Sequence, residues 1–205
     1  MKIGIIGAGM IGATLARLFA EQGHEVVISN SRGPQTLDAV VNEIGHGVRA
    51  MTAEKAADFG DIVVEAIPYG HYKDLPAILL AEKILISASN YYPDRDGIMD
   101  LNGRSQTELI ALHLPATKVI KAFNTIWYQD LATQGDSSLP LGQRRVIFLA
   151  GDDEEAKMLV ASLIEAIGFA PLDTGSLAHS KVQEPGAAIY NVDMTLDEAR
   201  ALLDK

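Results

Sequence analysis

Gly7-Ala8-Gly9-Met10-Ile11-Gly12 spaces three glycines as GxGxxG, and the chemistry that spacing serves is the binding of a pyrophosphate. Gly7 permits a tight turn, Gly9 keeps a side chain away from an approaching phosphate, and Gly12 lets helix and strand pack closely. Ala8, Met10 and Ile11 complete the turn and offer the backbone N–H groups of a helix start, whose dipole favours negative charge. The second constellation is Asn30-Ser31-Arg32. A site for an unphosphorylated ribose usually carries Asp or Glu about 20 residues after the glycine turn. Here no carboxylate stands between Ser29 and Arg32. Ser31 can donate to a 2′-phosphate and Arg32 can clamp it with a permanently charged fork. These residues point to NADP(H); the plainer alternative is that Arg32 is a solvated surface arginine and NAD binds equally well.

The elements that must position these residues alternate. Lys2–Ile6 is a β-branched strand, Ala13–Glu21 a helix and Glu25–Ser29 a second strand. A helix over Thr36–Glu43, a strand over Val48–Met51 and a helix over Ala53–Asp58 follow, with Thr52 as cap. Ile62–Ile67 is a fourth strand whose one charge, Glu65, has no evident task. A helix over Tyr72–Leu80, a strand over Lys83–Ser87, a capping-box helix behind Ser105-Gln106-Thr107-Glu108 and a strand over Lys118–Phe123 come next. Asp130–Gly142 reads as a linker. Beyond it lie a strand over Arg145–Ala150, a helix over Asp153–Ile167, a short strand over Phe169–Leu172, a short helix over Leu177–Val182 and a helix over Thr195–Leu203. This alternation predicts an α/β, Rossmann-type, doubly wound and mostly parallel sheet. The expected division is residues 1–142 for nucleotide binding and 143–205 as a C-terminal extension, the whole forming one compact unit. Ligands of such sheets bind at the carboxyl ends of the strands. Ile67 and Pro68 therefore belong near the ribose and nicotinamide, and Asn124 at the same crevice. The loop Ala88–Gly97, with Tyr91 and Tyr92, is placed either to stack on a planar ring or to pack upon itself. His71 is either a surface residue or a contact near the nicotinamide.

The chain has 205 residues, 48% hydrophobic, with a formal net charge of −10 and no cysteine. That charge argues against nucleic acid and anionic membranes as partners. The absence of cysteine excludes disulfides and thiolate chemistry. The five histidines are scattered, so no metal site is expected, and Asp152, Asp153, Glu154 and Glu155 read as complements to a helix dipole. Neither a membrane-spanning run nor a leader is expected, and a cytoplasmic protein is the expectation. No G-x-S-x-G elbow occurs, and no side chain is assigned a catalytic role. Little room remains after Ala150, and no helical substrate domain is expected there. Hydride transfer to a planar ring, which needs stacking rather than a positioned base, fits better.

The order of Ile5–Gly12, Ser29–Pro34, Ala66-Ile67-Pro68, Arg95-Asp96-Gly97, Lys121–Thr125, Gly151-Asp152-Asp153 and Ile167-Gly168-Phe169 resembles the NADPH-dependent coenzyme F420 reductase family. The cytosolic domain of the STEAP metalloreductases is similar to it. The resemblance implies that Ala8–Ile11 hold the pyrophosphate, Ser31 and Arg32 the 2′-phosphate, and Ile67, Pro68, Asn90 and Asn124 the nicotinamide side. It implies a homodimer and a small-molecule hydride acceptor: F420, FMN, FAD, free flavin or a ferric chelate. The tail Leu177–Pro185 departs from the family's pattern, with Ser180 for Ala and Lys181 for Arg, which leaves the acceptor open. Two other readings stand beside this one. One is a non-catalytic NADP(H)-binding redox sensor or reductase subunit; the other is a small-substrate dehydrogenase completed by a second subunit.

Overall fold

β-branched runs and amphipathic helices alternate through a computed structural model that describes residues 1–203. In order these are β1 (Lys2–Ile6), α1 (Met10–Glu21), β2 (Glu25–Ser29), α2 (Asp38–Ile44), β3 (Arg49–Met51), α3 (Ala53–Phe59) and β4 (Ile62–Glu65). Then come α4 (Ala77–Leu80), β5 (Ile84–Ser87), α5 (Pro93–Asp96), α6 (Gln106–His113), β6 (Lys118–Ala122) and α7 (Tyr128–Thr133). The chain continues with β7 (Val146–Gly151), α8 (Glu154–Ala166), β8 (Ala170–Asp173) and α9 (Leu196–Leu203). One sheet holds all eight strands in the order β3-β2-β1-β4-β5-β6-β7-β8. Every pair is parallel except β6 with β7, where Lys121 faces Ala150. The order reverses between β1 and β4, which opens a crevice at the carboxyl edge.

Strand side chains alternate between two cores. Ile5, Val64, Ile86 and Ile120 face α1 and α8, where Phe19 meets Phe123 edge-on at 6.2 Å. Ile6, Val63, Leu85 and Val119 face the opposite side, against Tyr69 and Ile110. Burying one such side chain contributes about 1.5–3 kcal/mol before entropy is counted. A third cluster joins Val146 and Phe148 of β7 to Ile189, Met194 and Leu196, so the C-terminal segment is fastened over the far end of the sheet. Among the described residues no helix is long and apolar enough to cross a membrane.

Several boundaries differ from the sequence reading for local reasons. The helix expected over Tyr72–Leu80 is a 3-10 turn, Tyr69–Asp74, followed by the short α4. Pro76 holds Leu75 in extended backbone between them. β4 stops at Glu65 because the N–H of Ile67 donates to the Glu65 carboxylate at 3.1 Å rather than to the ladder. The expected linker begins inside α7, which Leu131 anchors in the core. The short helix over Leu177–Val182 is a run of 3-10 turns, Leu177–Gln183. Asp153 caps α8, accepting from the N–H of Ala156 at 2.8 Å, and pairs with Lys118 at 2.9 Å. The Ser105–Glu108 capping box is formed.

Candidate functional site

The carboxyl ends of β1, β2, β4, β5 and β6 enclose two adjoining clefts of about 440 Å³ each. They share Gly9, Ala66, Ile67 and Pro68. The first is lined by Gly7, Ala8, Asn30, Ser31 and Arg32, the second by Met10, Ile11, Asn90 and Asn124. Every residue singled out for the cofactor therefore lines one cleft or the other, except Gly12, which lies beneath the turn.

The glycine turn has three different jobs. Gly7 sits at φ +118°, and a β-carbon there would come within 2.4 Å of the Ala66 carbonyl oxygen. One on Gly12 would lie 1.8 Å from the Gly7 carbonyl oxygen, the mark of helix packed hard on turn. One on Gly9 would meet nothing within 4 Å. That open space lies at the N-terminus of the 12-residue α1, which has no side-chain cap and no acidic residue in its first turn. A negative ligand is what such a helix end accommodates.

Past β2, Asn30 braces the loop. Its amide oxygen accepts from the N–H of Arg32 at 3.1 Å and its amide nitrogen donates to Thr36 at 2.9 Å. Asn30 thus sets the path of Ser31 and Arg32, whose side chains are exposed toward the first cleft. His71 stands in this same cleft with Arg32, not with Asn90 and Asn124, and bonds Asp74 at 3.0 Å.

In the second cleft Asn90 and Asn124 are locked together. Asn124 Nδ2 donates to Asn90 Oδ1 at 3.0 Å and to the Gln183 carbonyl at 2.7 Å, and Asn90 Nδ2 donates to the Asn124 carbonyl at 2.8 Å. Among the described residues Asn124 Oδ1 is a buried acceptor with no partner. Phe123, just before it, holds φ +64°, a strained turn fixed by a fully buried ring. The two loop tyrosines diverge. Tyr91 turns inward against Tyr69, and its hydroxyl donates to Gly97 at 2.8 Å. Tyr92 faces the cleft, and its hydroxyl is bonded to that of Tyr190. Arg95 lies over the Tyr92 ring, bonded to Asp96 at 2.8 Å and to the Asn90 carbonyl at 2.6 Å. Trp127 and Tyr128 complete the aromatic wall.

Beneath the floor lies a buried polar layer. Glu65 accepts from Ser87 and Ser89, each at 2.9 Å, and from the N–H of Ile67. Burial raises its pKa against those bonds and against the charge of Lys121. Lys121 donates to the Ser89 carbonyl; burial pushes its amine down to about 8, with Glu65 and Glu184 resisting. Burial also raises Glu184, which accepts from the N–H of Gln106 at 2.7 Å. Sequence reasoning placed Lys121 and Arg95 in the matching motifs without giving them a role, and missed Trp127 and Tyr190. Tyr190 carries no local signal, since it reaches the cleft from 98 residues beyond Tyr92.

A reversal-point crevice, a bare glycine at a helix start and a basic loop after the second strand define a dinucleotide-binding α/β protein. The family described as NADP oxidoreductase, coenzyme F420-dependent, matches residues 2–91. The chain belongs to that family. A crystal structure of a hypothetical protein from Sinorhizobium meliloti is 36% identical with a TM-score of 0.83, covering 95% of each chain. That of a proposed F420-dependent NADP-reductase from Arthrobacter sp. FB24 is 26% identical with a TM-score of 0.75, covering 100% of this chain and 90% of its own. The rat metalloreductase STEAP3 is 32% identical over 89% of this chain. The chain spans only about a third of that relative, 36% of its length.

Proposed function

We propose that the chain binds NADPH along the joined clefts and passes its hydride to a planar, flavin-like or deazaflavin acceptor in the second. The residues fit this cofactor: the open space over Gly9 takes a pyrophosphate, Ser31 and Arg32 take the 2′-phosphate, and the unpartnered Asn124 Oδ1 takes a carboxamide N–H. Ile67 and Pro68 form the floor between the two halves. NADPH supplies the hydride, and the protein supplies binding, orientation and exclusion of water. The acceptor side is carried by one observation: the second cleft is walled by Tyr92, Trp127, Tyr128 and Tyr190, with its cation, Arg95, already paired to Asp96. A flat apolar ring fits such a wall. As part of this proposal the chain acts as a homodimer, and light scattering at twice the chain mass supports it, with the single-chain mass counting against it.

The test is anaerobic NADPH oxidation against F420, FMN, FAD and a ferric chelate, with NADH alongside. Turnover with a ring acceptor and preference for NADPH are expected. Arg32→Ala is expected to weaken NADPH about tenfold to a hundredfold, the worth of a charge-assisted contact, and to leave NADH nearly unchanged. Tight NADPH binding without oxidation by any ring acceptor would overturn the proposal.

A further inference from the structure

Tyr92 and Tyr190 meet hydroxyl to hydroxyl at the second cleft. Two phenols carry two protons, and one of these is spent between them. Asn90 Nδ2, 3.5 Å from the Tyr190 oxygen, is a donor and takes up neither proton. Arg95 has no acceptor to offer. Of the neighbouring acceptors, Asn90 Oδ1 is taken by Asn124 and the Asn124 carbonyl by Asn90, and Asn124 Oδ1, though unpartnered, receives neither hydroxyl. Among the described residues neither hydroxyl has a further acceptor, so one O–H is left to face the cleft. Burial and the adjoining phenol keep Tyr190 protonated well above the usual tyrosine range.

We infer that the Tyr92–Tyr190 pair is a hydrogen-bond donor site for a conjugated carbonyl oxygen of the acceptor, which makes the substrate class a planar ring bearing such a carbonyl rather than a metal chelate. This rests on the hydride-transfer reading above and adds the residues that recognise the acceptor. Hydride addition to such a ring moves negative charge onto the conjugated oxygen, and a donor already aimed at that oxygen stabilises it without reorganisation. The balance is one hydride from reduced nicotinamide and one proton from solvent, two electrons in all; both tyrosines end as they began. The pair also joins the loop after β5 to the C-terminal segment. Acceptor recognition is thereby assigned to a residue outside the nucleotide-binding half.

The experiment compares wild type with Tyr92→Phe, Tyr190→Phe and the double variant, using FMN as the ring acceptor. NADPH affinity is measured in parallel, as is the dissociation constant of oxidised FMN in the presence of NADP⁺. The double variant is expected to lower FMN turnover about tenfold to a hundredfold, within the range seen for loss of a preorganised donor, and to weaken FMN binding severalfold, with each single variant between it and wild type. NADPH affinity is expected to hold. The double variant should be the worst of the three, because each single variant keeps one free O–H. Variants equal to wild type in FMN turnover and binding would overturn the inference while leaving the hydride-transfer reading in place. A wild type that neither binds nor reduces any ring acceptor would overturn both.

Discussion

Lys121 and Glu65 sit fully buried under the cleft floor, where an isolated charge costs several kcal/mol. Each lies in the other's field, and each holds a different piece of the floor. Glu65 ties Ile67 and Ser89, and Lys121 ties Ser89 again from β6. The lysine carries a linkage with a definite sign. Its folded value of about 8 lies below the 10.5 of an exposed lysine, so unfolding takes up a proton between those two values. Stability from this group is therefore lowest below pH 8 and rises as pH climbs toward 10.5. Lys121→Met leaves the Ser89 carbonyl without its donor and Glu65 without the nearby positive charge, and should cost about 1–3 kcal/mol at pH 7. Urea unfolding of both proteins from pH 7 to 10 checks the linkage. The gap should widen in favour of the wild type as pH rises; a flat gap would mean that Lys121 is not buried with its charge.

At the scale of elements, the strand–turn–helix unit β1-α1 separates folding from binding within six residues. A β-carbon on Gly12 collides with the turn backbone, whereas one on Gly9 enters open space. Gly12→Ala is expected to lower the melting temperature by on the order of 5 °C, from an overpacking cost of about 1–3 kcal/mol. Gly9→Ala should melt within about 1 °C of wild type, as a change away from packed groups does. It should still weaken NADPH at least tenfold by filling the phosphate space. Calorimetry and NADPH titration on the two variants decide this; equal melting and equal binding losses would refute the division. The unit was legible in the sequence because its period, its glycines and its loop chemistry agree locally. The fourth strand's end was not, because Glu65 bonding to its own Ile67 leaves no mark in an apolar run. Pro76 likewise splits the expected helix over Tyr72–Leu80 into a 3-10 turn and the short α4. The acceptor side was the least legible part. Asn90 and Asn124 were placed at the carboxyl edge by the strand pattern and took their nicotinamide role from family resemblance, while Tyr190 and Lys121 matter through contacts that only the closed sheet creates.

The whole molecule carries a formal net charge of −10, and both NADPH and the phosphorylated acceptors are anions. The local fork of Arg32 acts at contact distance, but the approach of an anion is governed by the summed field. That field repels, and salt screens it over a Debye length that shrinks from about 30 Å at 0.01 M to about 8 Å at 0.15 M. The acceptor reaches a cleft whose cation, Arg95, is already neutralised by Asp96, so no local charge reverses the sign for it. Raising ionic strength over that interval should therefore increase kcat/KM for FMN severalfold. Riboflavin, with the same ring and no phosphate, should show almost no response. The comparison isolates charge from stacking, since both ligands present one ring to Tyr92, Trp127 and Tyr190. An FMN rate that falls with salt would place an attractive basic surface at the mouth of the cleft, contrary to this charge distribution.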